Sequence, residues 1–457
     1  MTGREISSQK SFIHDHGKAS SVTDRVITYG IVLMLLFFAM SGYLPTSGTR
    51  TSSLQSMTSD SDTIIGQLFQ LLMWSMAIIL MSRNYKDVLN TCREMKIMTA
   101  LSLLAPISAL WSQNSSNSLR RGVLLLLGTL FAFYLTKRFS ANELGQILII
   151  TGVIAGILSV ITSLLFPQFG LDTFNNNAWQ GIFRSKNGCA QVMLFLLTPA
   201  GSLIFTSRLM RMMRYLLFLL AIILILLSNA KTAWLLAPGY FVMMSVASRL
   251  RVLKRRDAML LALGIVACTS LLAASSVLVL PTLMEAMGKS SSGSGRLPLW
   301  AAAFVSFLKH PMLGYGYASF WTGLQGESLN IFMTTRFEIY QAQNGILEVG
   351  LELGIVGVVL VSLTFFKAIK DALICLQRGH TEVVNWYVGL IVLTICYNID
   401  ETFLASAHSL PWLLYIVACT GLAVEARKAR IPTPTRRSLE NSGSFVFMPL
   451  RDSSHSL

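Results

Sequence analysis

Charge is scarce in this 457-residue chain. Only 13% of its residues are Asp, Glu, Lys or Arg, where a soluble domain carries about a quarter. The deficit runs the whole length, 53% of residues are hydrophobic and the mean hydropathy is +0.58. This excludes a soluble enzyme and leaves no stretch for a separate soluble catalytic domain, so the expected class is a polytopic membrane protein. Paired cysteines are missing too. Cys92, Cys189, Cys268, Cys375, Cys396 and Cys419 lie far apart, mostly inside apolar runs, without redox or metal-ligand spacing. They read as small buried apolar side chains, and neither a metal nor a cofactor is expected. No internal repeat is found, which weighs against an inverted-repeat transporter.

What is present is a succession of apolar runs of about 15 to 23 residues, long enough to cross a bilayer when tilted. They predict an all-α fold with about twelve membrane spans. The first eight run near Val26–Leu44, Thr63–Met81, Ile97–Trp111, Gly122–Thr136, Gln146–Phe166, Gly188–Thr206, Met213–Ser228 and Thr232–Ser248. The last four run near Ala258–Leu280, Gly345–Phe366, Val384–Phe403 and Leu410–Val424. The resulting division is a cytoplasmic tail over 1–25, nine spans over 26–280, a long outer loop over 281–343, three spans over 344–425 and a basic inner tail over 426–457.

The formal charge of +15 invites a nucleic-acid reading, but its placement is a topology signal instead. Basic residues crowd alternate connections, from Arg83, Lys86, Arg93 and Lys96 through Arg249–Arg256 to Arg427–Arg451. By the bias of Lys and Arg towards the cytoplasm, both termini are expected inside. The connection from Pro281 to Gln343 stands apart. It opens on the flexible "GKSSSGSGR" and continues into an amphipathic stretch around Trp300–Leu308, and a loop of this length is functional or disordered. Its aromatic and charged residues favour function.

Ten cations fall on the outer side against that bias, among them Arg120, Arg121, Arg184, Lys186, Lys231, Arg296 and Arg336. One alone reads as a snorkelling side chain. Several on one face ask for a common membrane-bound anion, such as a lipid diphosphate. Glu348 and Glu352 share a helical face inside an apolar run, and Asp400 and Glu401 end the eleventh span. For Glu348 and Glu352 two readings stand side by side: structural pairing with cations such as Arg336 or with capping donors, and a role towards substrate.

Separated stretches, in order, resemble the O-antigen ligase and polymerase family, and more closely its exopolysaccharide-polymerase branch. They are "LWSQNSSNSLRRG", "WQGIFRSKNG", "LSNAKTAWL", "SGRLPLWAAAFVSFLKHPMLGYGYASF", "QNGILEVGLELGIVG" and "NIDETF". The resemblance implies a GT-C-like glycosyltransferase of the bacterial inner membrane that needs no metal or nucleotide sugar. Its donor would be a polyprenyl-diphosphate-linked oligosaccharide, and its partners a chain-length regulator and a flippase. It further implies that the long loop covers a cavity open to the bilayer. Arg296 and Arg336 would grip the diphosphate there, with Lys186, Lys231 and Arg184 nearby and Asn344, Glu352, Glu401 and His408 in support.

Transfer from such a carrier builds negative charge on the departing diphosphate, which fixed cations stabilise. Inversion at the anomeric carbon is expected. The ligase motif has a histidine where this sequence has Gln343, while Asn344, Gly354 and Gly357 fit its spacing. An amide is no base at neutral pH. Three accounts stand: another group, Glu338, Glu348 or His408, takes the proton; positioning suffices; or activity has been lost. His310, within "KHPMLGYG", reads as structural. The absent histidine favours a polymerase over a ligase, and a polysaccharide-precursor transporter is the alternative from another class.

Overall fold

With no water in the bilayer core, every backbone donor and acceptor must be satisfied within the segment, which selects helices. The computed structural model describes residues 22–40, 64–249, 296–323, 325–335, 339–377 and 382–430, and helix dominates them. In chain order the helices are α1 (Val22–Ala39), α2 (Ile64–Ser82), α3 (Tyr85–Glu94), α4 (Lys96–Ile107), α5 (Ser115–Arg138) and α6 (Ala141–Leu165). They continue with α7 (Lys186–Ser202), α8 (Arg208–Leu227), α9 (Lys231–Arg249), α10 (Arg296–Lys309) and α11 (Gly326–Thr335), and end with α12 (Gly345–Gln377), α13 (Glu382–Tyr397) and α14 (Leu410–Arg430). A two-residue antiparallel ladder, Leu171–Asp172 with Ala178–Trp179, closes the connection between α6 and α7.

Each apolar run read from the sequence coincides with one of these helices, except the ninth, Ala258–Leu280, which lies outside the described residues. Five are long and apolar enough to cross a membrane: α5, α6, α8, α14 and the Gly345–Cys375 part of α12. Shorter apolar helices cover Val26–Ala39, Gly66–Ser82, Lys96–Leu110 and Glu382–Tyr397. The protein is therefore a multi-pass membrane protein. Among the described residues, nine of the expected spans thus coincide with these apolar helices, five of them full-length.

Helix starts follow local chemistry. Ser140 and Glu143 form a reciprocal capping box at α6, with Ser140 N donating to Glu143 Oε2 at 2.8 Å. Ser185 Oγ caps α7 by accepting from Gly188 N at 3.0 Å, satisfying a donor that the helix itself leaves unpaired. Between helices in lipid there is little hydrophobic drive, so close contact and buried hydrogen bonds carry association. Ser102 meets Thr129 at 2.7 Å, Thr364 meets Tyr415 at 2.7 Å and Trp386 Nε1 donates to Thr198 Oγ1 at 3.0 Å. Each contributes about 0.6 kcal/mol. The most enclosed span is α14, buried from Leu410 to Ala423 and wrapped by α5, α12 and α13. By contrast, α8 turns Leu216, Leu219, Ile222 and Leu226 outward.

The ends of the bundle differ. At one end Glu94 receives Arg427 at 2.5 Å and Lys137 at 3.5 Å, and Lys367 pairs with Asp371 at 2.7 Å. These are connections that the charge bias assigns to the cytoplasm. At the other end α12 is broken. Gly354 has φ +64°, and a Cβ there would lie 2.3 Å from Met312 backbone atoms. The segment from Pro311 to Gly316 threads the gap: Ile355 N donates to Pro311 O at 2.8 Å, Tyr315 N to Leu351 O at 2.9 Å and Gly316 N to Glu352 O at 3.0 Å. Irregular backbone at a membrane helix is tolerated where protein satisfies it. The segment after α10 is thus spliced into α12.

Candidate active site

The splice fixes the start of α12, and with it the first of the implicated residues. Asn344 Oδ1 accepts from Leu347 N at 3.0 Å, capping the helix, and its Nδ2 donates to Ile399 O at 3.3 Å. Gly345 N donates to Asn398 O at 2.8 Å, and a Cβ at Gly345 would lie 2.2 Å from Asn398 Oδ1. The turn leaving α13, residues 398–401, is therefore held against the head of α12. Gln343 stands at this junction with φ +48°, a left-handed conformation uncommon away from glycine and characteristic of functional sites.

Arg296, the first residue of α10, reaches into the same junction. Its Nε donates to Gln343 Oε1 at 2.9 Å and its guanidinium pairs with Asp400 Oδ1. Asp400 is buried, its side chain only 4% exposed against 18% for Arg296, and its other oxygen accepts from Thr232 Oγ1. Glu401 accepts from Asn187 Nδ2 at 2.7 Å through Oε1. Asn187 and Thr232 are the second residues of α7 and α9, directly after Lys186 and Lys231. Two helix N-termini, each opening on a lysine, thus converge on the Asp400–Glu401 turn, where partial positive charge favours anions. Burial pushes the Asp400 carboxyl up, opposed by Arg296 and Thr232. Burial likewise raises Glu401 to about 7, with Arg296 pulling down and Asp400 pushing up.

Glu348 and Glu352 are employed differently. Glu348 accepts from Trp321 Nε1 at 2.7 Å and from Ala342 N at 2.6 Å, and Glu352 accepts from Ala318 N at 2.9 Å. Both are buried, and among the described residues neither pairs with a cation. They bind the 315–321 loop and the approach to α12 onto the helix. Arg336 and Glu338 lie outside the described residues. Arg184 is exposed. His408 sits on the 398–409 turn against Phe37 and Trp74, with ring centroids 5.6 and 5.8 Å away. Burial, then the charges of Arg121, Arg120 and Arg184, holds its pKa near 4. His310 lies edge-on to Tyr315 at 4.5 Å.

The O-antigen ligase family model matches residues 216–362, which take in α10, Arg296, Gln343 and the break in α12. The exopolysaccharide production protein ExoQ of Rhizobium meliloti (strain 1021) is 25% identical over 372 residues, covering 77% of this chain and 83% of that protein. The chain is thus similar to the O-antigen ligase family over residues 216–362 and to ExoQ over most of its length. Sequence reasoning singled out Arg296 and Gln343 from this family's motifs. It left Asp400 without a partner and missed Asn187 and Thr232. The available signal was a shared pattern, a lysine and a small polar residue opening two apolar runs, but sequence separations of 168 and 214 residues hid where they point.

Proposed function

We propose that this protein is a polymerase of exopolysaccharide or O-antigen-like repeat units at the outer face of the bacterial inner membrane. It transfers glycan from a polyprenyl-diphosphate carrier to an acceptor hydroxyl with inversion, and uses no metal. The observation that carries this reading is Arg296, held between Asp400 and Gln343 beside the N-termini of α7 and α9. A guanidinium whose partners are one buried carboxylate and one amide is oriented before substrate arrives, and it can take a diphosphate oxygen bidentately. Charge that grows on the leaving diphosphate meets this preorganised cation, together with Lys186, Lys231 and Arg336. The basic end around Glu94, Lys137 and Arg427 then faces the cytoplasm, with both termini inside and about twelve spans in all. A flippase delivers the lipid-linked units and a chain-length regulator limits the product.

A second reading, transfer of a finished glycan to a different lipid acceptor, is favoured by the ligase family match. Gln343 at the motif's histidine position weighs against it. Deleting the gene and isolating what accumulates separates the two. Single lipid-linked repeat units support the polymerase. Long unligated polymer supports the ligase, and neither species accumulating removes both.

A further inference from the structure

The machinery described so far grips a departing diphosphate but gives the incoming hydroxyl no base. Gln343 is an amide and cannot accept the proton. The two oxygens of Glu348 are filled by Trp321 and Ala342. His408 is walled by Phe37 and Trp74, and at a pKa near 4 its imidazole is a weak acceptor of protons. Glu401 differs from all three. It adjoins Asp400, the partner of Arg296, and Asn187 Nδ2 anchors Oε1 at 2.7 Å. Among the described residues no donor meets its Oε2. Beside it are two buried hydroxyls, Tyr397 OH and Thr402 Oγ1, which also find no partner among the described residues, and Tyr397 is only 2% exposed. Buried polar atoms without mates are rare in folded proteins, and two of them beside a carboxylate oxygen without a donor mark this turn as a place for a polar ligand.

Resting on the glycosyl-transfer reading of this site, we infer that Glu401 is the general base, its Oε2 taking the proton of the acceptor hydroxyl. As that oxygen bonds to the anomeric carbon, the bond from carbon to diphosphate oxygen breaks and its electron pair leaves with the diphosphate towards Arg296. The proton stays on Glu401 until the product departs and then passes to water. The charged and titratable groups facing the carboxyl are Arg296 from α10, Asp400 from its own turn and Tyr397 from α13. Lys186 and Lys231 begin the helices that carry Asn187 and Thr232. Burial raises Glu401 to about 7, and a base is most effective with its pKa near the working pH.

The test uses the full chain in lipid nanodiscs with a synthetic polyprenyl-diphosphate repeat unit, following polymer formation across pH. Wild type should gain rate as pH rises and level off above about 7, where the base is ionised. E401Q, which keeps an oxygen to accept from Asn187 but cannot take a proton, should lower kcat by about 10²- to 10⁴-fold with little change in KM, and lose the acid limb. N187A removes a hydrogen bond that lowers the Glu401 pKa, so its acid limb should move to higher pH. E401Q with wild-type kcat and an unchanged acid limb overturns the base while leaving the transferase reading intact. If wild type itself consumes no lipid-linked unit, the reading and the base fall together.

Discussion

Two pairs of carboxylates stand at the same end of this bundle and do opposite things. Glu348 and Glu352 accept from an indole and from backbone N–H groups of the adjoining loop. Asp400 and Glu401 accept from side chains on three separate helices, Arg296 on α10, Thr232 on α9 and Asn187 on α7. A carboxylate filled by backbone donors is committed to folding, because no ligand can displace those donors without unmaking the loop. A carboxylate held by side chains can trade partners when an anion arrives, because the backbone need not move. The difference lies in the donors, not in the acids.

The sharpest test of that contrast is Arg296→Ala. Removing the cation that faces the leaving group should lower the rate of polymer formation by about 10²- to 10³-fold, roughly what the loss of one preorganised donor costs elsewhere. Protein in the membrane should stay at wild-type amounts, and Arg336→Ala should behave alike. Wild-type polymer from both variants would remove the proposed diphosphate grip.

Glu348→Leu comes next and should act on the other axis. It leaves Trp321 Nε1 and Ala342 N buried without an acceptor, at about 1–3 kcal/mol for each. The expected outcome is a large fall in folded protein and in thermal midpoint after extraction, with the rate per folded molecule nearly unchanged. A well-folded Glu348→Leu protein with no activity would erase the distinction between the pairs. Asp400→Asn should be milder and opposite in kind. The amide can still accept from Thr232 but no longer balances Arg296, so kcat is expected to drop about tenfold, near 1.4 kcal/mol, with normal protein amounts.

This contrast shows what was legible in the sequence. Hydropathy located the helices because lipid demands an apolar run and internal hydrogen bonding. The basic residues marked one end because that bias is written in composition. The break at Gly354 was not legible: a glycine in an apolar run looks the same whether the helix continues or admits the Pro311–Gly316 segment. Nor could Glu348 be told from Glu401, since partner identity is fixed by tertiary contacts. Arg296 was found through a motif, whereas Asn187 and Thr232 gained meaning only when two helix starts met one turn.

The smallest expected effect joins both halves of the site. In Gln343→His, a neutral imidazole nitrogen can accept from Arg296 Nε where the amide oxygen now does, and histidine is among the residues enriched at positive φ. Activity should therefore stay within about threefold of wild type, under 0.7 kcal/mol. The substitution also introduces a group able to take a proton with an ordinary pKa near 6.5. If Glu401 supplies the base in the native protein, adding Gln343→His to E401Q should restore much of the lost rate and place an acid limb near that value. A folded Gln343→His protein without activity would mean that the amide donates to substrate through its Nε2 along a direction that the imidazole N–H, fixed opposite the nitrogen that accepts from Arg296, does not reach.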